Sequence, residues 1–373
     1  MPWQEASIMD QRREFVVLAS LEGANVSALC ARFGISRETG HKWLRRAACG
    51  LESYADRSRR PLHSPTRTEA PVEAAVLSIR DAHPAWGARK IACCLARMGI
   101  SPPAVSTVHR ILQRHDRIPE RTQTSHRYGR FERAAPNQLW QMDFKGRVQI
   151  ERGTWCHPLT VLDDHSRFLL CLESCENERT QTVKPLLERT FRHYGLPEAF
   201  YLDNGSPWGG GVPGQWTRLG VWLLKLGVEV IHSRPFHPQG RGKNERFHRT
   251  LAAEVFELRP LRDLDQVQRA FDAWRPVYNT ERPHQALDMA VPASRYRTSE
   301  KTMPETLPEP EYGPDDIVRR VGTTKFYISF KGRLWPVPTA FAGERVAIRP
   351  RGEDGRFGVF FGATKIADID LRT

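Results

Sequence analysis

Three carboxylates in the middle of the chain have the residue types and positions that phosphodiester chemistry requires. Asp143 lies in a short apolar segment, Asp203 opens an Asp-Asn-Gly turn, and Glu245 follows a Pro-Gln-Gly-Arg-Gly stretch. Cleavage by water needs an activated nucleophile and relief of charge on the leaving oxygen, which two Mg²⁺ ions about 3.5–4 Å apart supply. Mg²⁺ prefers carboxylate oxygens, so three convergent carboxylates would hold it. Alternatively, Asp203 and Glu245 only cap a turn and a helix, but Asp143 is costly to bury unpaired.

Alternating strand-like and helix-like segments around these carboxylates predict an α/β core. Asp143 falls in the first strand, Asp203 closes the fourth, and Glu245 lies in the first turn of a late helix. This element order is that of the ribonuclease-H-like fold, in which strands one and four are neighbours, so the two Asp side chains are expected to face each other. The predicted strands are 139–144, 154–162, 167–172, 200–202 and 228–231, and the predicted helices are 180–194 and one that starts near residue 243.

Other acidic residues compete for a place in this site. Glu229 is the rival third carboxylate, but it lies in an apolar run and lacks the Pro-Gln-Gly context, so we prefer Glu245. Asp163 and Asp164 separate two predicted strands, and we interpret them as turn formers rather than metal ligands.

Two tandem units in the first third of the chain have the pattern of helix-turn-helix DNA-binding domains, with an ordinary helical bundle as the alternative. In the first unit, Gly34 suits a helix C-terminus and Ser36 caps a helix with Trp43 on its inner face. In the second unit, Ser101 is expected to cap a helix with Pro102 in its first turn. The side chains predicted to face a DNA major groove are Arg37, Thr39, His41 and Lys42 in the first unit, and Ser106, Thr107, His109 and Arg110 in the second.

The composition favours a polyanionic partner. Among 373 residues there are 56 Lys and Arg against 43 Asp and Glu, a net charge of +13. The first 130 residues carry 21 basic and 12 acidic side chains, whereas the rest of the chain is nearly balanced. No run approaches the roughly 18 apolar residues of a membrane span, and the first ten residues have no apolar stretch typical of a secretory signal. Seven scattered Cys residues indicate reduced thiols in a cytosol.

Basic and Pro-rich stretches divide the chain into domains. The basic linker with Arg57, Arg59 and Arg60 could lie along DNA phosphates or serve only as a tether. The last segment has the turn and strand pattern of a small all-β domain, which we expect to be an SH3-like barrel. The expected organisation is a first helix-turn-helix domain at 1–50, a linker at 51–68, a second helix-turn-helix domain at 69–116, a linker at 117–136, the α/β core at 137–290, a Pro-rich linker at 291–314 and the β-domain at 315–373.

Several motifs together resemble a known family. Leu-Trp-Gln-Met-Asp at 139–143 resembles the opening of retroviral-integrase-type (rve) catalytic cores. The Asp-Asn-Gly at 203–205 and the Pro-Gln-x-x-Gly-x-x-Glu at 238–245 are similar to their second and third motifs. Asp-Asp-x-Ser-Arg at 163–167 and Tyr-Asn-x-x-Arg-Pro-His-x-x-Leu at 278–287 are similar to segments of bacterial insertion-sequence transposases in this superfamily. The chain departs from the family in a longer interval between the second and third carboxylates.

The resemblance implies a DDE transposase, which nicks the ends of its element with water and then uses the freed 3′-hydroxyl to attack target DNA. Asp143, Asp203 and Glu245 would be catalytic and would bind two Mg²⁺ ions, with Mn²⁺ as a substitute. Lys243, Arg246 and Arg249 would hold DNA phosphates, although Arg249 could instead pair with Glu245 at i+4.

The expected partners are double-stranded DNA, both element ends with terminal inverted repeats and target, and further copies of the chain in a homodimer or higher homo-oligomer. We expect a cytoplasmic, nucleoid-associated protein with neither a membrane nor a small-molecule substrate as partner. One alternative is a sequence-specific regulator or architectural protein that keeps the fold without catalysis. Another is a ribonuclease-H-type nuclease acting on RNA–DNA hybrids, which would leave the helix-turn-helix units unexplained.

Overall fold

A computed structural model describes residues 7–50, 54–56, 67–118, 132–209, 215–232, 242–352 and 354–372. The chain forms two compact units, Met1–Arg67 and Thr68–Thr373. No helix among these described ranges is both long and apolar enough to cross a membrane.

The first unit is a three-helix domain that contains the predicted helix end at Gly34 and the predicted helix after Ser36. It consists of α1 (Ile8–Ala19), α2 (Val26–Arg32) and α3 (Arg37–Ala48). Gly34 adopts a φ of +63° between α2 and α3, a conformation that favours glycine. The Ser36 side chain accepts the backbone N–H of the third residue of α3, which satisfies one of the free N–H groups at the helix start.

The second helical trio opens the larger unit. It comprises α4 (Ala70–Ala82), α5 (Ala88–Arg97) and α6 (Val105–Arg114). The prediction that Ser101 caps the last helix is wrong, because α6 begins four residues later without a side-chain cap. Both Ser101 and Pro102 precede a proline, and a residue before proline is driven out of the helical region.

A six-stranded mixed sheet forms the centre of the larger unit. Along the sheet the order is β4, β3, β1, β5 and β6, with the short β2 also paired to β3. β1 runs antiparallel to β3 and parallel to β5, and β5 is parallel to β6. The strands are β1 (Trp140–Phe144), β2 (Val148–Gln149), β3 (Trp155–Asp163), β4 (Leu169–Cys175), β5 (Ala199–Leu202) and β6 (Glu229–His232).

Helices cover both faces of this sheet. On one face, α7 (Thr180–Tyr194) and α8 (Arg218–Lys225) share a buried cluster with the strands. On the other, α9 (Gly242–Leu251) and α10 (Leu264–Pro276) form a second cluster. Each of these last two helices runs into a π-helical segment, Ala252–Phe256 and Val277–Glu281 respectively. β2, α8, α10 and the two π-helical segments were not predicted from the sequence.

The C-terminal region is all-β, but the predicted SH3-like barrel is not confirmed. An open antiparallel sheet of order β12, β11, β10, β7 lies beside a separate hairpin of β8 and β9. Trp216, Val221 and Leu224 from α8 and the segment before it join the apolar cluster of this region. The sheet therefore buries its apolar face partly against the core. The strands are β7 (Ile317–Arg320), β8 (Tyr327–Phe330), β9 (Arg333–Pro336), β10 (Arg345–Pro350), β11 (Arg356–Phe361) and β12 (Thr364–Asp370).

Candidate active site

The pairing of β1 with β5 brings Asp143 and Asp203 to the same level of the sheet. Trp140 pairs with Phe200 and Gln141 with Tyr201 in a parallel register. Continued by two residues, this register sets Asp143 level with Asp203, which directly follows β5. Neighbouring strands lie about 4.8 Å apart, so the prediction that the two aspartates stand on adjacent strands agrees with the register.

Asp143 belongs to the face of the sheet that α9 covers. Trp140 and Met142 of β1, and Phe200 and Leu202 of β5, are buried in the cluster on the α7 and α8 face. Successive side chains of a strand alternate between faces, so Asp143, the residue after Met142 in β1, is directed to the other side. That side is where α9 packs.

Local contacts hold the turn that carries Asp203. Its carboxylate Oδ1 accepts the backbone N–H of Gly205 at 2.9 Å, and its backbone carbonyl accepts a hydrogen bond from His232 Nδ1 at 2.9 Å. Further along, Trp208 stacks on Phe144 of β1 with ring centroids 5.4 Å apart. The loop after β5 is therefore anchored next to the end of β1.

A chain of hydrogen bonds joins α9 to the backbone of Asp143. The Thr160 hydroxyl in β3 donates to the Asp143 carbonyl at 2.9 Å and lies 3.1 Å from His248 Nε2. A hydroxyl has a single proton, so His248 must donate its Nε2–H to that oxygen. Burial, helped by the nearby charge of Lys145, lowers the pKa of His248 to about 3, which keeps the ring neutral. Glu245 lies one helical turn before His248 and is exposed.

A second buried network holds the start of α9. Lys243 Nζ lies 2.5 Å from Asp164 Oδ1, and Gln141 Nε2 donates to the same oxygen at 2.7 Å. The backbone N–H of Arg133 donates to the other carboxylate oxygen at 2.8 Å. Burial, followed by repulsion from Arg167, lowers the pKa of Lys243 to about 8. The roles of Gln141, Thr160 and His248 were not predicted from the sequence. The only signals in the sequence were that Gln141 lies two residues before Asp143 and that His248 lies three residues after Glu245. Thr160 had no such signal.

The donor set suits a hard cation, but the described residues are not gathered around one point. Three carboxylates without thiol or imidazole are the ligand type that Mg²⁺ selects. Among the side chains that the structure describes, no three His, Cys, Asp or Glu residues lie close enough together to hold an ion. The rival Glu229 pairs with Ala199 at the far end of β5 from Asp203. Ala199 and Asp203 are four residues apart, about 13 Å along the strand, so Glu229 is less favourably placed.

Residues predicted to contact DNA differ in their exposure. On α3, Arg37, His41 and Lys42 are exposed and Thr39 is partly exposed; on α6, Ser106, His109 and Arg110 are exposed and Thr107 is partly exposed. Arg246 and Arg249 are exposed on α9, whereas the Lys243 side chain is 17% exposed and paired with Asp164. No ion pair joins Arg249 to Glu245, both of which are described. Arg57, Arg59 and Arg60 lie outside the described residues.

Two other motif segments are structural. As predicted, Asp163 forms a turn, because its buried carboxylate accepts both the N–H and the hydroxyl of Ser166. In the segment 278–287, the Asn279 side chain exchanges two hydrogen bonds with the backbone of Leu169 in β4, at 2.8 and 3.1 Å. Such contacts fix the closing segment against the sheet.

Family models match most of these regions. Residues 133–238 and 226–292 match two integrase core domain models, and residues 316–373 match the C-terminal domain of IS481 family transposases. Residues 12–61 match a helix-turn-helix domain and residues 39–112 a homeodomain-like domain. The predicted resemblance to insertion-sequence transposases with an integrase-type core is confirmed. These domain types imply DNA binding.

Curated relatives of the chain come from insertion elements and retroviruses. An uncharacterized 31.7 kDa protein of insertion element IS407 from Burkholderia multivorans is 26% identical over 159 residues, 43% of this chain and 55% of that protein. An uncharacterized 39.2 kDa protein of insertion element IS476 from Xanthomonas euvesicatoria is 24% identical over 291 residues, which are 75% of this chain and 81% of that protein. The Gag-Pro-Pol polyprotein of Mason-Pfizer monkey virus is 29% identical over 125 residues, which are 33% of this chain and 6% of that polyprotein. The chain thus spans about half of the IS407 protein and most of the IS476 protein.

Solved structures of retroviral integrases are weakly similar. One is a simian T-cell lymphotropic virus intasome in complex with the PP2A regulatory subunit B56 gamma, 16% identical, with a TM-score of 0.39 over 79% of this chain and 98% of that chain. Another is the HTLV-2 integrase catalytic core domain in complex with magnesium, which is 13% identical. Its TM-score is 0.34 over 44% of this chain and 99% of that chain. Both TM-scores are below 0.5, so neither likeness bears on function.

Proposed function

We propose that the chain is an integrase-type DDE transposase that cuts the ends of its own element and joins them to target DNA. The observation that supports the proposal is the β1–β5 register, which when continued by two residues brings Asp143 and Asp203 to the same level. The helix of Glu245 packs on the sheet face to which Asp143 belongs. A regulator that kept only the fold would have no need for two acidic side chains at neighbouring strand ends, because two carboxylates placed close together repel each other.

Each of the described site residues would have a separate role in the reaction. Asp143 and Asp203 would bind Mg²⁺, with Mn²⁺ as a substitute and two ions per site, and Glu245 would complete the ligand set from α9. When bound, the ions would activate the attacking water or 3′-hydroxyl and stabilise the leaving oxygen. Arg246 and Arg249 would hold the DNA phosphates beside the cut.

Recognition and assembly would depend on the rest of the chain. The exposed side chains of α3 and α6 would read the terminal inverted repeats in the major groove. Two element ends must be held together for joining, so we propose at least a homodimer on DNA. Binding should weaken steeply with salt, because Lys and Arg contacts displace counterions from the phosphates.

The test is a donor plasmid that carries the gene with its own flanking DNA, incubated with the purified protein and Mg²⁺. The wild-type protein is compared with Asp143→Asn, Asp203→Asn and Glu245→Gln, and Glu229→Gln is the matched control. We expect 3′ nicks at the element boundaries with the wild type and with the control. The three site variants should lose nicking by about a hundredfold or more, since even outer-shell metal partners are worth 10–100-fold.

Each other outcome has a definite meaning. If Glu245→Gln nicks like the wild type and Glu229→Gln does not, the third carboxylate is Glu229. If all variants nick like the wild type, the site is wrong. If every protein binds the element ends and none nicks, the chain is a regulator or architectural protein.

A further inference from the structure

We propose that Lys243 is a positioning residue, whose ion pair with Asp164 holds the first turn of α9, and with it Glu245, against β1. This inference rests on the proposed function and refines one part of it. It also replaces the prediction that Lys243 contacts DNA.

The geometry of the pair is that of a buried anchor. Asp164 is 1% exposed and lies in the turn between β3 and β4. One carboxylate oxygen receives Lys243 Nζ at 2.5 Å and Gln141 Nε2 at 2.7 Å, and the other receives the Arg133 N–H at 2.8 Å. Lys243 Nζ also lies 3.3 Å from the Asp164 carbonyl oxygen. The carboxylate therefore joins three segments of the chain at one point.

Two of these segments carry proposed metal ligands. Gln141 is two residues before Asp143 on the same strand, and side chains two apart share a face. Lys243 is two residues before Glu245 in the first turn of α9. Asp164 thus ties the strand of the first carboxylate to the helix of the third.

A second attachment lies on the other side of Glu245. His248 is one turn further along α9 and is bound through Thr160 to the Asp143 backbone. With Lys243 held before Glu245 and His248 held after it, the first turn has little freedom to shift along or rotate on β1. A single attachment would leave such freedom.

The same geometry disfavours a DNA contact by Lys243. If the ammonium moved to a phosphate, the Asp164 carboxylate would stay buried without its charge partner, which is strongly unfavourable. Arg246 and Arg249 have no such constraint, because both are exposed on α9. The cationic residues of one helix are thereby divided between holding the helix and holding DNA.

The test compares Lys243→Met, Lys243→Arg and Asp164→Asn in the full chain, with Arg246→Met as the matched control for DNA contact. Three quantities are measured. They are hydrogen exchange of residues 242–251 without metal, the Mg²⁺ concentration that gives half-maximal nicking, and DNA affinity as a function of salt.

We expect Lys243→Met and Asp164→Asn to speed exchange at the start of α9 and to raise the half-maximal Mg²⁺ concentration 10–100-fold. Lys243→Arg should restore both, because it keeps the charge pair. The salt slope of DNA binding should stay as in the wild type for these variants. Arg246→Met should lower that slope by about one unit and leave the Mg²⁺ midpoint in place.

Two results would overturn the inference. One is a salt slope lowered by about one in Lys243→Met with wild-type behaviour of Asp164→Asn, which would make Lys243 a DNA contact. The other is unchanged exchange of α9 in a folded Lys243→Met or Asp164→Asn protein. Should Lys243→Met fail to fold, Asp164→Asn and Lys243→Arg still decide between these results. If the wild-type protein does not nick while Lys243→Met still loosens α9, the proposed function is refuted and the attachment of α9 by Lys243 stands. Normal nicking by Glu245→Gln would refute only the assignment of Glu245 as the third carboxylate.

Discussion

Replacing Thr160 with Val should remove one of the two polar attachments of α9 to the strand that carries Asp143. Thr160 is fully buried in β3 and is paired with Asp143 in the antiparallel register. Its hydroxyl accepts the Nε2–H of His248 and donates to the Asp143 carbonyl. Valine has nearly the same shape but cannot form either hydrogen bond, so the change removes the link with little change in packing volume.

The size of the effect follows from what is left unpaired. His248 is largely buried, and its Nε2–H would lose its partner, at a cost of about 1–3 kcal/mol. Loss of the second bond, to the carbonyl, adds about 1 kcal/mol. We therefore expect Thr160→Val to lower the free energy of unfolding by about 2–4 kcal/mol. The matched control Thr160→Ser keeps the hydroxyl and loses one buried methyl, which costs about 1 kcal/mol.

The assay is unfolding in urea, monitored by tryptophan fluorescence. Hydrogen exchange of residues 242–251 is measured on the same proteins. Thr160→Val should lower the unfolding midpoint of the larger unit and speed exchange in α9, and Thr160→Ser should stay close to the wild type in exchange. Equal stability and equal α9 exchange in the Val and Ser variants would refute the reasoning, because the hydroxyl would then contribute nothing.

Two further predictions concern other parts of the chain. A Cβ at Gly40 of α3 would lie 2.5 Å from Cys30 Sγ and 2.9 Å from Phe15 Cζ. We therefore expect Gly40→Ala to destabilise the first unit by about 1–2 kcal/mol, because overpacking costs about 1–3 kcal/mol and outweighs the better helix propensity of Ala. Hydrogen exchange should become faster in α1–α3 and stay unchanged in the larger unit. Slower exchange in α1–α3 would contradict this prediction. Burial lowers the pKa of His284 to about 3, so the unfolded chain binds its proton first as pH falls below about 6.5. Stability is full above that pH, and about 3 kcal/mol should be lost by pH 4.5; His284→Gln should remove that part of the pH dependence in urea titrations, and an unchanged pH profile would contradict the assignment.

Elements with strong local signals were predicted from the sequence. The helix Thr180–Tyr194 was predicted with its exact bounds, because apolar residues recur at helical spacing and Gly195 and Pro197 follow it. The start of α3 is set by Ser36 and the positive φ of Gly34, both of which depend only on neighbouring residues. The strand placement of Asp143 likewise follows from its apolar neighbours.

Elements whose character depends on distant contacts were missed or mistaken. In α8, the consecutive residues from Leu219 to Leu223 are all buried, so no apolar face stands out from a polar one. One reason is that Val221 packs against the C-terminal region, more than ninety residues further along the chain. The open form of that C-terminal sheet has the same origin, because part of its apolar face is covered by the core.

The types and order of the candidate site residues were determined by the sequence alone. Asp143 and Asp203 at strand ends and Glu245 at a helix start could be recognised from local pattern and motif spacing. The tertiary structure decided what holds them. Lys243 meets Asp164 across 79 residues, and Thr160 meets His248 across 88. A lysine beside a site glutamate has the same local pattern whether it binds a phosphate or a buried carboxylate, and only the packing of distant segments determines which anion it reaches.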